Sequence, residues 1–427
     1  MTKSEQNTVT DVKAYSQDLG RKAKAAAAKL SSVSIEQKDR ALKTMARVIR
    51  ERAQILKNEN VKDIASARQA GLSAAMIDRL ELTDKRIEAM AVSLEQVAAQ
   101  TDPVGQIIEG YLRPNGLEIQ KVRVPIGVVA IIYESRPNVT ADAAGLCLRA
   151  SNACILRGGK EAIHSNLAIA QCLREALKAT ELPVDSVQVV QTTDRALVNE
   201  LLKLNEYIDL VIPRGGESLI RTVVELSTIP VIKHYAGNCH IYVDRNCALD
   251  LADLVIVNAK CQRPAVCNAV ETVLFHQAIA DEFIPPIGEH LIRLGVEIRG
   301  CPRTCSLLTK VTPATEQDWR TEYLDLVLAV RVVSGLDEAI THINTYGSHH
   351  TDAILSSDLP AVDRFVKNVD SASVMVNTST RFSDGYEYGL GAEIGISTDK
   401  LHARGPMGAQ DLTTYKYVVR GAGQVRE

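Results

Sequence analysis

The sequence predicts an α/β protein built on two parallel sheets, with a helical region ahead of them and a small β element beside them. Three observations carry this expectation. From Val124 onward, short apolar strand-like runs alternate with helix-length patterns, as in a parallel sheet covered on both faces. A second series of the same kind runs from about Cys239 to Val376. Two extended runs also flank Pro114-Asn115-Gly116, and Asn-Gly is a strong hairpin signal because both residues tolerate positive φ.

The 427 residues suffice for two or three domains, and 46% hydrophobic with 24% charged residues is ordinary globular composition. A net charge of -3 and an aromatic content of 4% give no electrostatic or stacking case for nucleic acid. No run approaches the ~18 apolar residues of a membrane span. The polar start, Met1 to Asp11, lacks a signal-peptide core, so a cytoplasmic protein is expected. Nine cysteines, an odd number without framework spacing, fit a reducing compartment. The close pair Cys301 and Cys305 has no further ligand at zinc-motif spacing, and no metal is expected.

Residues 1–100 are Ala-rich, charged and helical in period. Ser34-Ile35-Glu36-Gln37 is a capping box, and an apolar stripe runs through Met76, Ile77, Leu80, Ile87 and Met90. Gly105 to Arg113 and Leu117 to Val124 form the hairpin, which either adds to a partner's sheet or stays a local surface feature. Gly127 to Tyr133, Ala153 to Leu156, Val187 to Val190, Ile208 to Ile212 and Pro230 to Ile232 then read as strands, with helices at Ala141 to Arg149 and Glu161 to Ala179. In the second series, Leu251 to Ala259 is helical and Glu271 to Phe275 is a strand entering a core.

Chemistry concentrates at the connections. Arg157-Gly158-Gly159-Lys160 and Arg214-Gly215-Gly216-Glu217 each join a strand to a helix, with paired glycines and cations that suit a phosphate at a helix N-terminus. Tyr133-Glu134-Ser135-Arg136-Pro137-Asn138 follows the first buried strand. Asn138 there is either a helix cap or an amide donor to an oxyanion. His342, His349 and His350 lie close in sequence and read as structural or substrate-contacting. Cys267 falls in the tight turn between the helix and the strand of the second series, where a thiolate near backbone N–H groups is a nucleophile.

Several segments together resemble the aldehyde dehydrogenase superfamily and, within it, the gamma-glutamyl phosphate reductases. They are Gln262 to Thr272, Val333 to Ile354, Thr378 to Gly385, Gly405 to Gly408 and Leu412 to Tyr417. The resemblance implies an NADP(H)-binding domain from residues 1–105 and 124–235, and a catalytic domain from 236–395. It also implies an oligomerisation element from 106–123 and 396–427, hence a homo-oligomer. The implied reaction reduces L-glutamyl 5-phosphate to L-glutamate 5-semialdehyde, the second step of proline biosynthesis from glutamate. Glutamate 5-kinase, which makes the acyl phosphate, is the implied transient partner. Cys267 matches the nucleophile, Asn138 the oxyanion asparagine and Glu322 the glutamate that holds the nicotinamide ribose. Asn377, Ser379 and Arg381 follow the last strand of the series, on a loop that in related enzymes anchors the amino-acid end of the substrate. Arg136 is a candidate for the acyl phosphate.

Two departures from the wider superfamily sharpen this. Aldehyde-oxidising relatives carry a general-base glutamate about one βα unit before the nucleophile, but Leu226 to Val243 contains no Asp or Glu, and Lys233-His234 stands at the matching place. Without that base, water is not activated against a thioester, which favours reduction. Lys160 stands where NAD-preferring relatives carry a glutamate, and a cation suits the 2′-phosphate of NADP(H). The main alternative is an acyl-CoA-dependent reductase of the same superfamily. A non-catalytic scaffold or a thiol hydrolase leaves the assembled motifs unexplained.

Overall fold

The computed structural model describes residues 11–426, so the polar start at residues 1–10 lies outside the described residues. The chain forms two units. One takes residues up to 233 with 389–395 and the stretch from 407; the other takes 234–388 and 396–406. The chain crosses between the units more than once.

In the first unit five helices come first: α1 (Val12–Leu30), α2 (Ile35–Glu51), α3 (Ala53–Gln69), α4 (Ala74–Leu80) and α5 (Asp84–Ala99). Ser34 and Gln37 form the expected capping box at the start of α2. The apolar stripe from Met76 to Met90 is split over α4 and α5, because Thr83 caps a new helix by accepting from the Arg86 N–H at 3.2 Å. Leu80, Ile87 and Met90 are buried, whereas Met76 is exposed.

The hairpin follows as β1 (Ile107–Leu112) and β2 (Glu118–Pro125), paired antiparallel. Next come β3 (Val128–Tyr133), α6 (Val139–Arg149), β4 (Ala153–Arg157), α7 (Ile163–Ala179), β5 (Val187–Val189), α8 (Arg195–Leu201), β6 (Leu210–Arg214) and α9 (Glu217–Leu226). The sheet is parallel, in the order β5-β4-β3-β6. All six residues of β3 are buried, as an interior strand covered on both faces requires. The expected strand at Pro230 to Ile232 reduces to a single bridge, Val211 with Val231. Pro230 has no N–H to donate to a ladder, which limits pairing there.

The second unit is a regular βα series: β7 (Cys239–Val243), α10 (Leu249–Cys261), β8 (Val270–His276), α11 (Ala280–Arg293), β9 (Glu297–Gly300), α12 (Pro302–Leu307), β10 (Thr312–Pro313), β11 (Val327–Val333), α13 (Leu336–Tyr346), β12 (Thr351–Leu355), α14 (Leu359–Asn368) and β13 (Ser373–Val376). Its strands make one parallel sheet in the order β10-β9-β11-β8-β7-β12-β13. Val243, Val255, Val273, Phe275, Ile284 and Leu328 belong to its apolar core. Adjacent strands β7 and β8 have their interior faces filled this way, so the connections at their ends are held firmly. Two short strands, β14 (Gly395–Ser397) and β15 (Gly405–Met407), precede the last strand, β16 (Thr413–Arg420). In the first unit β16 pairs antiparallel with β2, completing a sheet in the order β1-β2-β16. Among the described residues no helix is long and apolar enough to cross a membrane.

Candidate active site

Cys267 lies in the turn between α10 and β8, half-buried, as the sequence pattern requires. Three strand connections of the second unit converge on it. The segment leading into β7 lies under it: a methyl group added to Gly237 would overlap the Cys267 backbone, and the Cys239 thiol donates to the Cys267 carbonyl oxygen at 3.1 Å. Burial pushes the Cys239 thiol well above its ordinary pKa, so it stays protonated as that donor. On the side after β13, Asn268 donates its amide to the carbonyls of Arg381 and Ser383 at 3.3 and 2.9 Å, which ties the Arg381 loop to the Cys267 turn.

Two histidines complete the arrangement. The ligand atoms of His234, Cys267 and His350 all lie within 4.8 Å of one another. His234 and His350 meet edge to face, with ring centroids 5.4 Å apart. His234 Nδ1 is 2.7 Å from the Ile396 carbonyl, which only accepts, so Nδ1 carries the hydrogen and Nε2 the lone pair. His350 is presented at the start of β12 by His349, whose φ of +59° turns the chain there. Along the chain, the signals for both histidines are the replacement of the expected glutamate by Lys233-His234 and the run His349-His350.

Glu322, the expected ribose contact, accepts the Gly237 N–H at 2.9 Å. Its loop is pinned from below, where the Leu324 N–H donates to Glu271 at 3.2 Å. Glu271 in turn pairs with Lys260 at 2.6 Å, both side chains fully buried. Burial raises the Glu271 pKa to about 7 against the pull of Lys260.

Against this geometry the relatives are informative. The aldehyde dehydrogenase family profile matches residues 3–299. The chain is 56% identical to the gamma-glutamyl phosphate reductase of Carboxydothermus hydrogenoformans, over 96% of this chain and 99% of that one. It is 51% identical to that of Moorella thermoacetica, over 96% and 98%. It superposes on the crystal structure of the gamma-glutamyl phosphate reductase of Thermotoga maritima with a TM-score of 0.94 and 48% identity, covering 96% of this chain and 100% of that one. The chain belongs to the gamma-glutamyl phosphate reductases of the aldehyde dehydrogenase family. An acetylating aldehyde dehydrogenase from Geobacillus thermoglucosidasius, 17% identical with a TM-score of 0.70 and covering 98% of this chain and 100% of that one, shares the fold.

Membership in this family of reductases implies a nicotinamide cofactor. In the first unit the two glycine loops lie at the C-terminal ends of β4 and β6, on either side of β3. In both loops a carboxylate lies against the glycines. The Gly216 N–H donates to Glu134 at 3.0 Å, and a Cβ on Gly215 would collide with that carboxylate. A Cβ on Gly159 would likewise collide with Glu161, which accepts from the Ser135 N–H and hydroxyl at 2.7 and 2.9 Å. The glycines therefore admit the protein's own carboxylates. Arg157 is partly turned back, donating to the Gly158 and Thr193 carbonyls, while Lys160 is exposed.

Other expected residues are also resolved. Asn138 makes no cap bond at α6; its amide donates to Asp142 at 2.9 Å, leaving the second N–H of that amide for another acceptor. Arg136 is half-buried beside it in sequence. In the second unit, Asn377 spends both amide groups on the Ser356 backbone at 2.9 Å, and buried Ser379 accepts from the Arg381 N–H at 3.3 Å. These bonds brace the loop, and they leave one Asn377 amide N–H and the Ser379 hydroxyl hydrogen for a further acceptor. Arg381 donates to Gln262 at 2.9 Å; burial, and then Arg263 nearby, lowers its pKa.

Proposed function

We propose that this protein reduces L-glutamyl 5-phosphate to L-glutamate 5-semialdehyde and phosphate with NADPH, through a thioester on Cys267, in the cytoplasm. The observation that carries the reading is that Cys267 has two imidazoles as its close company. Lys233-His234 stands at the place where an aldehyde-oxidising site carries the carboxylate base for thioester hydrolysis, and that carboxylate is absent.

The thiol proton passes to the lone pair on His234 Nε2, and the Cys267 sulfur attacks the acyl carbon. A carbon–sulfur bond forms, and the carbon–oxygen bond to phosphate breaks with its electron pair leaving on phosphate. The Cys267 backbone N–H serves the oxyanion; Asn138, oriented by Asp142, is the further oxyanion donor that the family resemblance implies. NADPH, when bound, supplies the hydride to the thioester carbon. The carbon–sulfur bond then breaks, and Cys267 is restored as the aldehyde leaves. Arg381 and Arg263 supply positive charge for the substrate carboxylate or phosphate, with Arg136 as a further phosphate contact.

Residues present fit the cofactor. Lys160, exposed at the end of β4, suits a 2′-phosphate, with Arg157 behind it, and Glu322 suits ribose hydroxyls. All nine cysteines are free thiols, in keeping with a reducing compartment. We place the homo-oligomer contact on β1 and β16, where Ile107, Leu112, Tyr417 and Val419 are exposed on strands with free edges.

The deciding assay runs the reaction backwards, with glutamate 5-semialdehyde and NADP. Turnover that requires inorganic phosphate supports this reading, and turnover restored by coenzyme A in its place favours the acyl-CoA-dependent alternative. Cys267→Ala should abolish turnover while NADPH still binds by fluorescence; a variant that still reduces substrate sinks the nucleophile assignment.

A further inference from the structure

We propose that His234, Cys267 and His350 form a binding site for one zinc-class divalent ion, which masks the nucleophile and makes the enzyme reversibly metal-inhibited. The donor set comprises one sulfur and two imidazole nitrogens, all within 4.8 Å of one another. One thiolate and two imidazoles select borderline ions such as Zn²⁺ over Mg²⁺ or Ca²⁺, which favour oxygen donors. Tetrahedral zinc, with Zn–S of about 2.3 Å and Zn–N of about 2.0 Å, separates its ligand atoms by roughly 3.5 Å. The three side chains therefore close by about an ångström, a displacement that rotation about their own bonds supplies.

The surroundings prepare this set. The Ile396 carbonyl fixes the His234 tautomer with the lone pair on Nε2, as an outer partner does for a ligating histidine. His350 is anchored at the buried start of β12, and Cys267 by the Gly237 contact beneath it. On binding, a metal–sulfur bond and two metal–nitrogen bonds form, and the thiol proton leaves to solvent. The fourth position is left to water, so a chelator has access. The ion occupies the sulfur lone pair that attacks substrate. The inhibition rests on the nucleophile reading, whereas the binding does not.

The test uses the purified full chain and the metals alone. Co²⁺ should bind once per chain, with a thiolate-to-cobalt charge-transfer band. Zn²⁺ should displace it and abolish phosphate-dependent turnover in proportion to occupancy, and EDTA should restore activity. Cys267→Ser should remove the band. His234→Ala should weaken Zn²⁺ binding at least tenfold, and half-buried His234 is the safer variant for folding; His350→Gln is the second, checked by circular dichroism. Absence of the cobalt band, or Zn²⁺ affinity unchanged in both His234→Ala and Cys267→Ser, overturns the metal site. Binding at this site without inhibition instead overturns the masking and the nucleophile assignment together.

Discussion

Gly237 and Cys267 are packed backbone to backbone: the space a Cβ would need at Gly237 is already filled by the Cys267 peptide unit. The same glycine donates its N–H to Glu322 at 2.9 Å, so one residue sets both the nucleophile turn and the expected ribose contact. Gly237→Ala should displace the turn by a sizeable fraction of an ångström and lower kcat by about 100-fold, the scale expected for such a misplacement. The protein should remain folded by circular dichroism while Cys267 alkylation slows. Wild-type kcat in a folded variant would show that the turn tolerates the shift.

The buried pair Lys260 and Glu271 carries the loop of Glu322 through the Leu324 N–H. Removing one partner leaves an uncompensated polar group in the core, so Lys260→Met should cost about 3–5 kcal/mol in denaturant unfolding. The double variant Lys260→Met/Glu271→Leu should recover much of that loss. If the single and double variants are equally stable, the pair is not held as an isolated buried charge.

Stability should fall in mild acid because of His342. It is buried against Trp319 and Tyr346, with His240 5.5 Å away, and its Nδ1 faces an Arg331 guanidinium N–H at 3.2 Å, Arg331 being paired with Glu338. Burial first, then His240 and Arg331, lowers its pKa to about 2 from the ordinary 6.5. Below about 6.5 the unfolded chain takes up a proton that the folded state refuses, so stability drops as pH falls from 7 towards 5. His342→Gln should flatten that slope in chemical denaturation at the two pH values. An unchanged slope would assign the acid sensitivity to other groups.

Arg381 stands beside the nucleophile turn and is only partly satisfied by Gln262. Arg381→Ala should raise the substrate KM by ten- to a hundredfold, with a smaller effect on kcat, as loss of a ground-state carboxylate contact does. Arg381→Lys should recover little, because a point charge does not replace the guanidinium fork. An unchanged KM in Arg381→Ala would leave the residue a role in bonding Gln262 only.

The exposed faces of β1 and β16 should be covered in solution. Leu112, at 72% exposure, and Tyr417, at 58%, are the residues to change. Leu112→Asp/Tyr417→Asp should lower the mass found by light scattering to that of a smaller assembly. A mass identical to wild type would place the subunit contact elsewhere.

The βα alternation, the hairpin at Asn115-Gly116, the capping box at Ser34 and the position of Cys267 between helix and strand were all legible along the chain. Each depends on residues a few positions apart, through side-chain periodicity or a turn's φ angles. The glycine loops were legible as loops, yet their occupants were not. Glu134 reaches Gly215 and Gly216 from another segment, which only packing decides, whereas Glu161 folds back on Gly159 from two residues along the same loop. Asn377 and Ser379 were legible as residues that follow a strand end, while their partners in space, Ser356 and the Arg381 N–H, were not. The sequence by itself determined the elements and singled out Cys267 as the candidate nucleophile, because local stereochemistry and a dense motif suffice for both. Tertiary structure alone decided that His234, from the segment before β7, and His350, from the start of β12, meet at Cys267: three side chains far apart in the chain come together only when the parallel strands that carry them pack side by side.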